Sequence, residues 1–498
     1  MPAFFFPRRL VTIGGATRTL LLACVAAILG IVAGRVAISH YGAPAIEFLI
    51  AVPFVIAITP RPLIAFIILA GVLGSVFAYG DLPRANVPGH PPINVADVLL
   101  AIVVGATIWR KPWRRWPPAV RGYTFALLLL LALASISSVG LLMHGHDAAR
   151  SSILGYRNLL YLALPLTIAL EFSGRLWRPL LNGLVGLAAL VAILSIAAAV
   201  SGSVAHLASS VSPGSVTAVG GTSRVRLPGL FLAYAMFIPT LVMALTVKDR
   251  WRTVRIVALL LMIVAIAVSL NRNMYFGGII GLLVAMLVGG TQLRQRVLLA
   301  VVIAVATTVL VVESVKPGAA AEVQQRAGSA LSTQVLSTGS ARARAIEFQY
   351  AFRSIANHPW DGVGWLQSYG LDVSNLGAGS GPRVFVEDLY IHLATDYGIP
   401  AALAFLLVPA FLLYYGIRRA LRAADPTDRA ILAGAIGALV ALLLSCLVGT
   451  YVQAPDSTAS FAATCGLVLA AGLRATPRPR TNTRSRPAAL GVSTLPEA

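Results

Sequence analysis

Runs of about twenty apolar residues recur along this chain, and that repetition narrows its possible folds more than any other feature. A helix satisfies its own backbone N–H and C=O groups, and about 20 residues of helix cross a hydrocarbon layer. Fourteen runs qualify: 19–39, 43–59, 62–79, 95–109, 122–143, 153–171, 179–200, 228–247, 254–271, 274–290, 297–313, 397–416, 429–452 and 457–473. The second, fourth and tenth are short, so the expected number of spans is twelve to fourteen. Charged residues make up only 11% of the 498, against about 25% in soluble domains. The predicted fold class is therefore all-α, a polytopic membrane helix bundle without a separable soluble domain. The first run is too long and too poorly flanked for a cleaved signal peptide.

The net charge of +21 does not point to nucleic acid. With the N-terminus (Arg8, Arg9, Arg18) in the cytoplasm, strict alternation of spans places most Lys and Arg in cytoplasmic connections, among them Arg110 to Arg115, Lys248 to Arg255, Arg294, Arg296 and Arg429. This is the positive-inside pattern of an inner (plasma) membrane protein with both termini cytoplasmic. Cys24, Cys446 and Cys465 all fall inside apolar runs, so neither a disulfide framework nor a thiolate metal site is expected.

Four segments follow. Residues 1–313 form an N-terminal transmembrane bundle, 314–396 an extracytoplasmic loop and 397–473 the C-terminal transmembrane helices. The Pro/Arg-rich stretch 474–498 has no apolar period and reads as a disordered basic tail. Snorkelling at a span end accounts for Arg35 and Arg157. It accounts less well for Arg272 in the tight turn Asn271-Arg272-Asn273, and Arg224 and Arg226 before the eighth span also need explaining.

The loop is the one long polar stretch. Residues 341–356 have helical period, with Phe348, Ala351, Phe352 and Ile355 on one stripe and Ser340 placed to cap the start. Arg344 falls within that stripe, whereas Arg342 and Arg353 fall opposite. A guanidinium turned inward needs an anionic partner, either Glu387 or Asp388 or the phosphate of a ligand. His358-Pro359 stops the helix. Gly362 and Gly364 make a turn where backbone can approach another element closely. Residues 386–397 have helical period too, with Asp388 and His392 one turn apart on one face, placed to act as a base and its orienting partner.

These motifs together resemble the O-antigen ligase/polymerase family of bacterial envelope enzymes. Arg226-Leu-Pro-Gly229-Leu-Phe is similar to the family's Arg-x-x-Gly-x-Phe, and Asn271-Arg272-Asn273 to its Ser-Arg-Gly turn. Arg344, followed by His358-Pro359 and Gly362-Val-Gly364, resembles its Arg…His-Pro-x-x-Gly-x-Gly run. Glu387-Asp388, nine residues, then Gly398-Ile-Pro resembles its His-Asn, nine residues, Gly-x-x-Gly element. The resemblance covers roughly 220–420. Glu387 stands where the ligase-type histidine falls, Asp388 where its asparagine falls, and Ala401 replaces the last glycine.

The resemblance implies a glycosyltransferase acting outside the membrane, with a polyprenyl-pyrophosphate-linked glycan as donor and a hydroxyl on a glycan or lipid-anchored acceptor. It implies pyrophosphate binding by Arg226, Arg272 and Arg344 without a metal or other cofactor. The base is Glu387 by spacing, or Asp388 with His392 by helix periodicity. Membrane lipid is the expected surrounding; nucleic acid is not an expected partner. The alternatives are a transporter or flippase of lipid-linked sugars, which would place its charges along a path through the bundle, and a non-catalytic assembly component.

Overall fold

The computed structural model describes residues 62–73, 84–85, 93–142, 155–201, 216–219, 222–225, 229–269, 271–300, 339–365, 386–447, 449 and 455–475. The predicted spans 19–39 and 43–59, most of 297–313, loop segments 314–338 and 366–385, and the basic tail beyond Ala475 lie outside the described residues.

The fold is an all-α bundle. Its helices are α1 (Pro62–Leu73), α2 (Val95–Arg110), α3 (Pro118–Leu142), α4 (Leu164–Phe172), α5 (Trp177–Ser201), α6 (Leu230–Thr246), α7 (Arg252–Val268) and α8 (Arg272–Gly289). A helix beginning at 291 and described to 300 is α9. Then come α10 (Gly339–Asn357), α11 (Leu389–Tyr397), α12 (Ile399–Arg422), α13 (Pro426–Ser445) and α14 (Pro455–Arg474). A helical lead-in over 155–163 precedes α4. Two short antiparallel ribbons interrupt the helices: Arg84–Ala85 with Ile93–Asn94, and Val216–Val219 with Thr222–Val225, where Thr217 faces Arg224.

Among the described residues, five helices, α3, α5, α12, α13 and α14, are long and apolar enough to cross a membrane, and α1, α6 and α8 are shorter apolar helices. Their outward faces explain why charge is absent. Phe125, Leu128, Ile136 and Val139 of α3 are exposed, a stripe that is stable against lipid and costly against water. α14 is buried on nearly every side, with Phe461, Cys465, Val468 and Leu469 at its centre. These features define a multi-pass membrane protein.

The closest crossing joins α8 to α13. A side chain on Gly277 would meet the Ala441 carbonyl, and one on Gly437 would meet the Gly281 carbonyl. Small residues at such a contact let two helix backbones touch, the usual device where lipid removes the hydrophobic drive between helices. The crossing fixes the start of α8, and hence Arg272, beside the end of α13.

Candidate active site at one end of the bundle

The site is built on α10. Its inward face carries Glu347, Ala351 and Ser354, all buried. Ala351 and Val386 form the centre of a small apolar cluster with Ile346, Phe348, Tyr350 and Ile391, and this cluster docks α10 on the start of α11. The stripe thus lies about one residue away from the predicted one: Phe352 is 57% exposed. Arg353 is exposed and lies over the Tyr350 ring. Arg344 stays on the inward side.

Arg344 meets Glu387. Its Nε and Nη2 each lie 2.7 Å from Glu387 Oε2, with both side chains about one-third exposed. The Glu387 amide in turn donates to Oε1 of Glu347 at 2.7 Å. Arg344 and Glu347 are three residues apart on one helix, so a single turn of α10 holds both the side chain and the backbone of Glu387.

Asp388 does a different job. Its Oδ1 accepts the Tyr390 and Ile391 amides at 2.9 Å each, capping α11. Asp388 therefore precedes the helix and does not lie on its face. Burial pushes its carboxyl above the usual aspartate range, opposed by these two amides.

His392 does not pair with Asp388. Its Nε2 lies 2.9 Å from Asp396 Oδ2, one turn further on, and both side chains are only 2% exposed. Its Nδ1 accepts the Val386 amide at 3.4 Å, so the ring proton sits on Nε2, toward Asp396. Trp365 meets the ring edge-on. Burial raises the Asp396 carboxyl, and His392 lowers it. Nδ1 is occupied, Nε2 lies against Asp396 Oδ2 without an aligned hydrogen bond, and the ring is closed off from solvent, so His392 and Asp396 form a buried strut under residue 386.

The 358–365 turn explains its glycines. The Val363 amide donates to the Thr395 carbonyl at 2.7 Å, the Gly364 amide to the Asp396 carbonyl at 3.0 Å, and the Ile399 amide to the Pro359 carbonyl at 2.9 Å. Gly362 (φ +67°) and Gly398 (φ +83°) face each other's strands of backbone. A Cβ on Gly362 would collide with the Asp396 carbonyl, and one on Gly398 with the Trp360 carbonyl. The turn is a backbone clamp on the α11–α12 junction, and Ser137 of α3 completes it by donating to the Asp396 carbonyl at 2.9 Å.

The starts of α6, α8 and α11 gather at one end of the bundle, around the end of α13. The Leu389 amide donates to the Cys446 carbonyl at 3.0 Å, and Tyr390 Oη to the Leu443 carbonyl at 2.8 Å. Ser445 Oγ donates to the Asn273 carbonyl at 3.1 Å and lies 2.9 Å from Tyr234 Oη of α6. Arg272, the first residue of α8, is thus at the same end as Glu387; its side chain lies outside the described residues. Arg226, four residues before α6, also lies outside them. Arg157, read from sequence as snorkelling, has Nη1 3.5 Å from Asp97 Oδ2.

Glu347, Asp396 and Trp365 carry no motif signal. Two of them obey helix spacing: Glu347 is three residues after Arg344, and Asp396 four after His392. Among the described residues, no group of three or more His, Cys, Asp or Glu side chains is arranged to hold a metal ion.

A helix bundle with a polar, arginine-bearing site at one end defines a class of multi-pass membrane proteins. Residues 257–406, which include Arg272, Arg344, Glu387, Asp388 and His392, match the family model described as O-antigen ligase. This match supports the O-antigen ligase/polymerase family, and with it a glycosyl-transferring enzyme of envelope polysaccharide assembly. No curated protein matches the chain.

Proposed function

We propose that the protein transfers a glycan from a polyprenyl-pyrophosphate carrier to a hydroxyl acceptor at the outer mouth of its bundle, in the bacterial inner membrane. Both termini would be cytoplasmic and the 314–396 loop extracytoplasmic. The observation that carries this reading is the Arg344–Glu387 pair. A guanidinium suited to phosphate and a carboxylate suited to a proton are held on one helix turn, at the end where α6 and α8 begin.

The pair is poised to separate. A partly exposed ion pair contributes only about 0–1 kcal/mol. A pyrophosphate offers Arg344 charge-assisted, bidentate hydrogen bonds that are roughly twice as strong as neutral ones. Donor binding therefore draws Arg344 onto phosphate and leaves Glu387 free to accept a proton. The acceptor hydroxyl loses its proton to Glu387, and its oxygen bonds to the anomeric carbon. The bond from that carbon to the pyrophosphate oxygen breaks. The polyprenyl pyrophosphate leaves with its charge met by Arg226, Arg272 and Arg344.

Asp388 and His392 support Glu387 in this reading and do not compete with it. Asp388 and His392 are buried, Asp388 with its Oδ1 capping α11 and His392 against Asp396, whereas Glu387 is about one-third exposed at the open edge. The gathering of α6, α8 and α11 at one end weighs against a transporter, whose charged groups would line a path between the two ends.

The test is transfer of lipid-linked glycan in membranes carrying Arg272→Ala or Arg344→Ala. Each substitution is expected to lower transfer at least tenfold at unchanged protein level. Unchanged transfer in both would remove the pyrophosphate clamp. Chain length in the same membranes separates the two acceptors: short chains mean polymerisation, and accumulated long lipid-linked chains mean ligation.

A further inference from the structure

A second polar site lies at the opposite end of the bundle. α8 runs 18 residues from Arg272 at the candidate active site to Gly289, and α13 runs 20 residues from Pro426 back to Ser445. At ~1.5 Å per residue the two ends stand about 27–30 Å apart, one hydrocarbon thickness. At the far end a cavity of about 340 Å³ opens between Thr246, Gly289, Thr291, Gln292, Arg296 and Arg429. No Asp or Glu is among its described lining residues.

Two guanidiniums form part of its wall, and each is held by one bond. Arg429 Nε donates to the Val288 carbonyl at 2.9 Å, and Arg296 Nη1 to the Leu245 carbonyl at 3.0 Å. Those carbonyls belong to the last turns of α8 and α6, which have no intrahelical donor. A guanidinium has five N–H groups. Among the described residues no other hydrogen bond or ion pair takes the remaining four of either arginine.

The third component is the start of α9. The Arg294 amide donates to the Gly290 carbonyl at 3.0 Å, so the first turn is formed. The amides of residues 291–293 then have no intrahelical acceptor, and Gly290 has no side chain to cap them. Such a turn attracts negative charge. Capping of α6 and α8 accounts for one N–H of each arginine. It does not account for two guanidiniums and an uncapped helix start converging on one cavity whose described lining residues include no Asp or Glu.

We propose that this cavity binds a phosphate-bearing anion, supplied by the headgroup of an anionic membrane lipid or by free phosphate. Lipid is favoured by position. The cavity is at headgroup depth on the side that the Lys and Arg distribution assigns to the cytoplasm, where basic pockets between helices meet anionic headgroups.

The experiment uses full-length protein in neutral detergent. Phosphatidylglycerol, phosphatidylcholine or inorganic phosphate is added, and bound adducts are read by native mass spectrometry and the unfolding midpoint by thermal scanning. Phosphatidylglycerol is expected to bind and raise the midpoint, with phosphatidylcholine having little effect. An Arg296→Gln/Arg429→Gln double variant, which keeps an N–H donor at each position, should need at least about tenfold more lipid. Thr291→Glu adds a carboxylate to the α9 start, which favours the helix but repels phosphate. It should keep or raise the unliganded midpoint and lose the response. Inorganic phosphate acting on the wild type and not on the variants would support the site with free phosphate as its source. A response equal in wild type and both variants, or none to either anion, would overturn the proposal.

Discussion

Glu387 is held twice by one turn of α10: Arg344 grips its carboxylate through Nε and Nη2 at 2.7 Å, and Glu347 accepts its amide at 2.7 Å. The two contacts have separable consequences. Arg344 is only lent to Glu387, because the pair is partly exposed and a phosphate competes for it. Glu347 is buried and fixes where the carboxylate stands.

Glu387→Gln removes the proton acceptor while keeping its shape. Transfer should fall by about 10²–10⁴, the usual contribution of general-base catalysis, with the unfolding midpoint changed little. Arg344→Lys keeps the charge but loses the planar fork that donates two N–H groups at once, and should restore only a small part of the transfer lost in Arg344→Ala. Initial rates in membranes, set against protein level, check both.

Asp388 distinguishes cap from base. Asn caps a helix as well as Asp does, whereas Ala costs about 0.5–2 kcal/mol. Asp388→Asn should therefore keep transfer and not lower stability, and Asp388→Ala should lower the unfolding midpoint.

The same residue sets a pH dependence. Its carboxyl is raised by burial, so the folded protein holds that proton more tightly than the unfolded chain. The resulting stability is complete below the ordinary aspartate range and is lost as pH rises through the folded value. Asn has no such loss. The stability of Asp388→Asn relative to wild type should rise from acidic toward neutral pH, read as the difference in unfolding midpoint.

The His392–Asp396 strut predicts a large effect away from the reacting groups. Leaving one buried polar partner without its mate costs about 1–3 kcal/mol. Asp396→Ala should lower the midpoint more than Glu387→Gln does.

Glycine substitutions separate the backbone clamp from ordinary helix. Gly362→Ala and Gly398→Ala each put a Cβ into backbone at positive φ, and should cost about 1–3 kcal/mol or more. Gly105→Ala in α2 meets nothing within 4 Å and should be neutral or stabilising by up to about 1 kcal/mol. Thermal unfolding of the three variants gives the comparison.

Much of the fold was legible because span length and helix period are local properties. The predicted run 179–200 is α5 at Trp177–Ser201, and the predicted helix 341–356 is α10 at Gly339–Asn357. The inward aim of Arg344 followed from the same arithmetic. A close approach at Gly362 was legible too, but not its partner at Asp396, because a contact between distant segments leaves no periodic trace. The pairing of His392 was misread because both Asp388 and Asp396 stand four residues from it. Only the capping of α11 by Asp388 decides between them. Glu347 went unread because its role is to hold a backbone amide 40 residues away.

The most direct test is mass spectrometry of envelope glycans from a strain lacking the protein, complemented with wild type or Glu387→Gln at matched membrane levels. Wild type is expected to restore the mature glycan, and Glu387→Gln to leave lipid-linked donor accumulated, as in the deletion. Full restoration by Glu387→Gln would rule out Glu387 as the base.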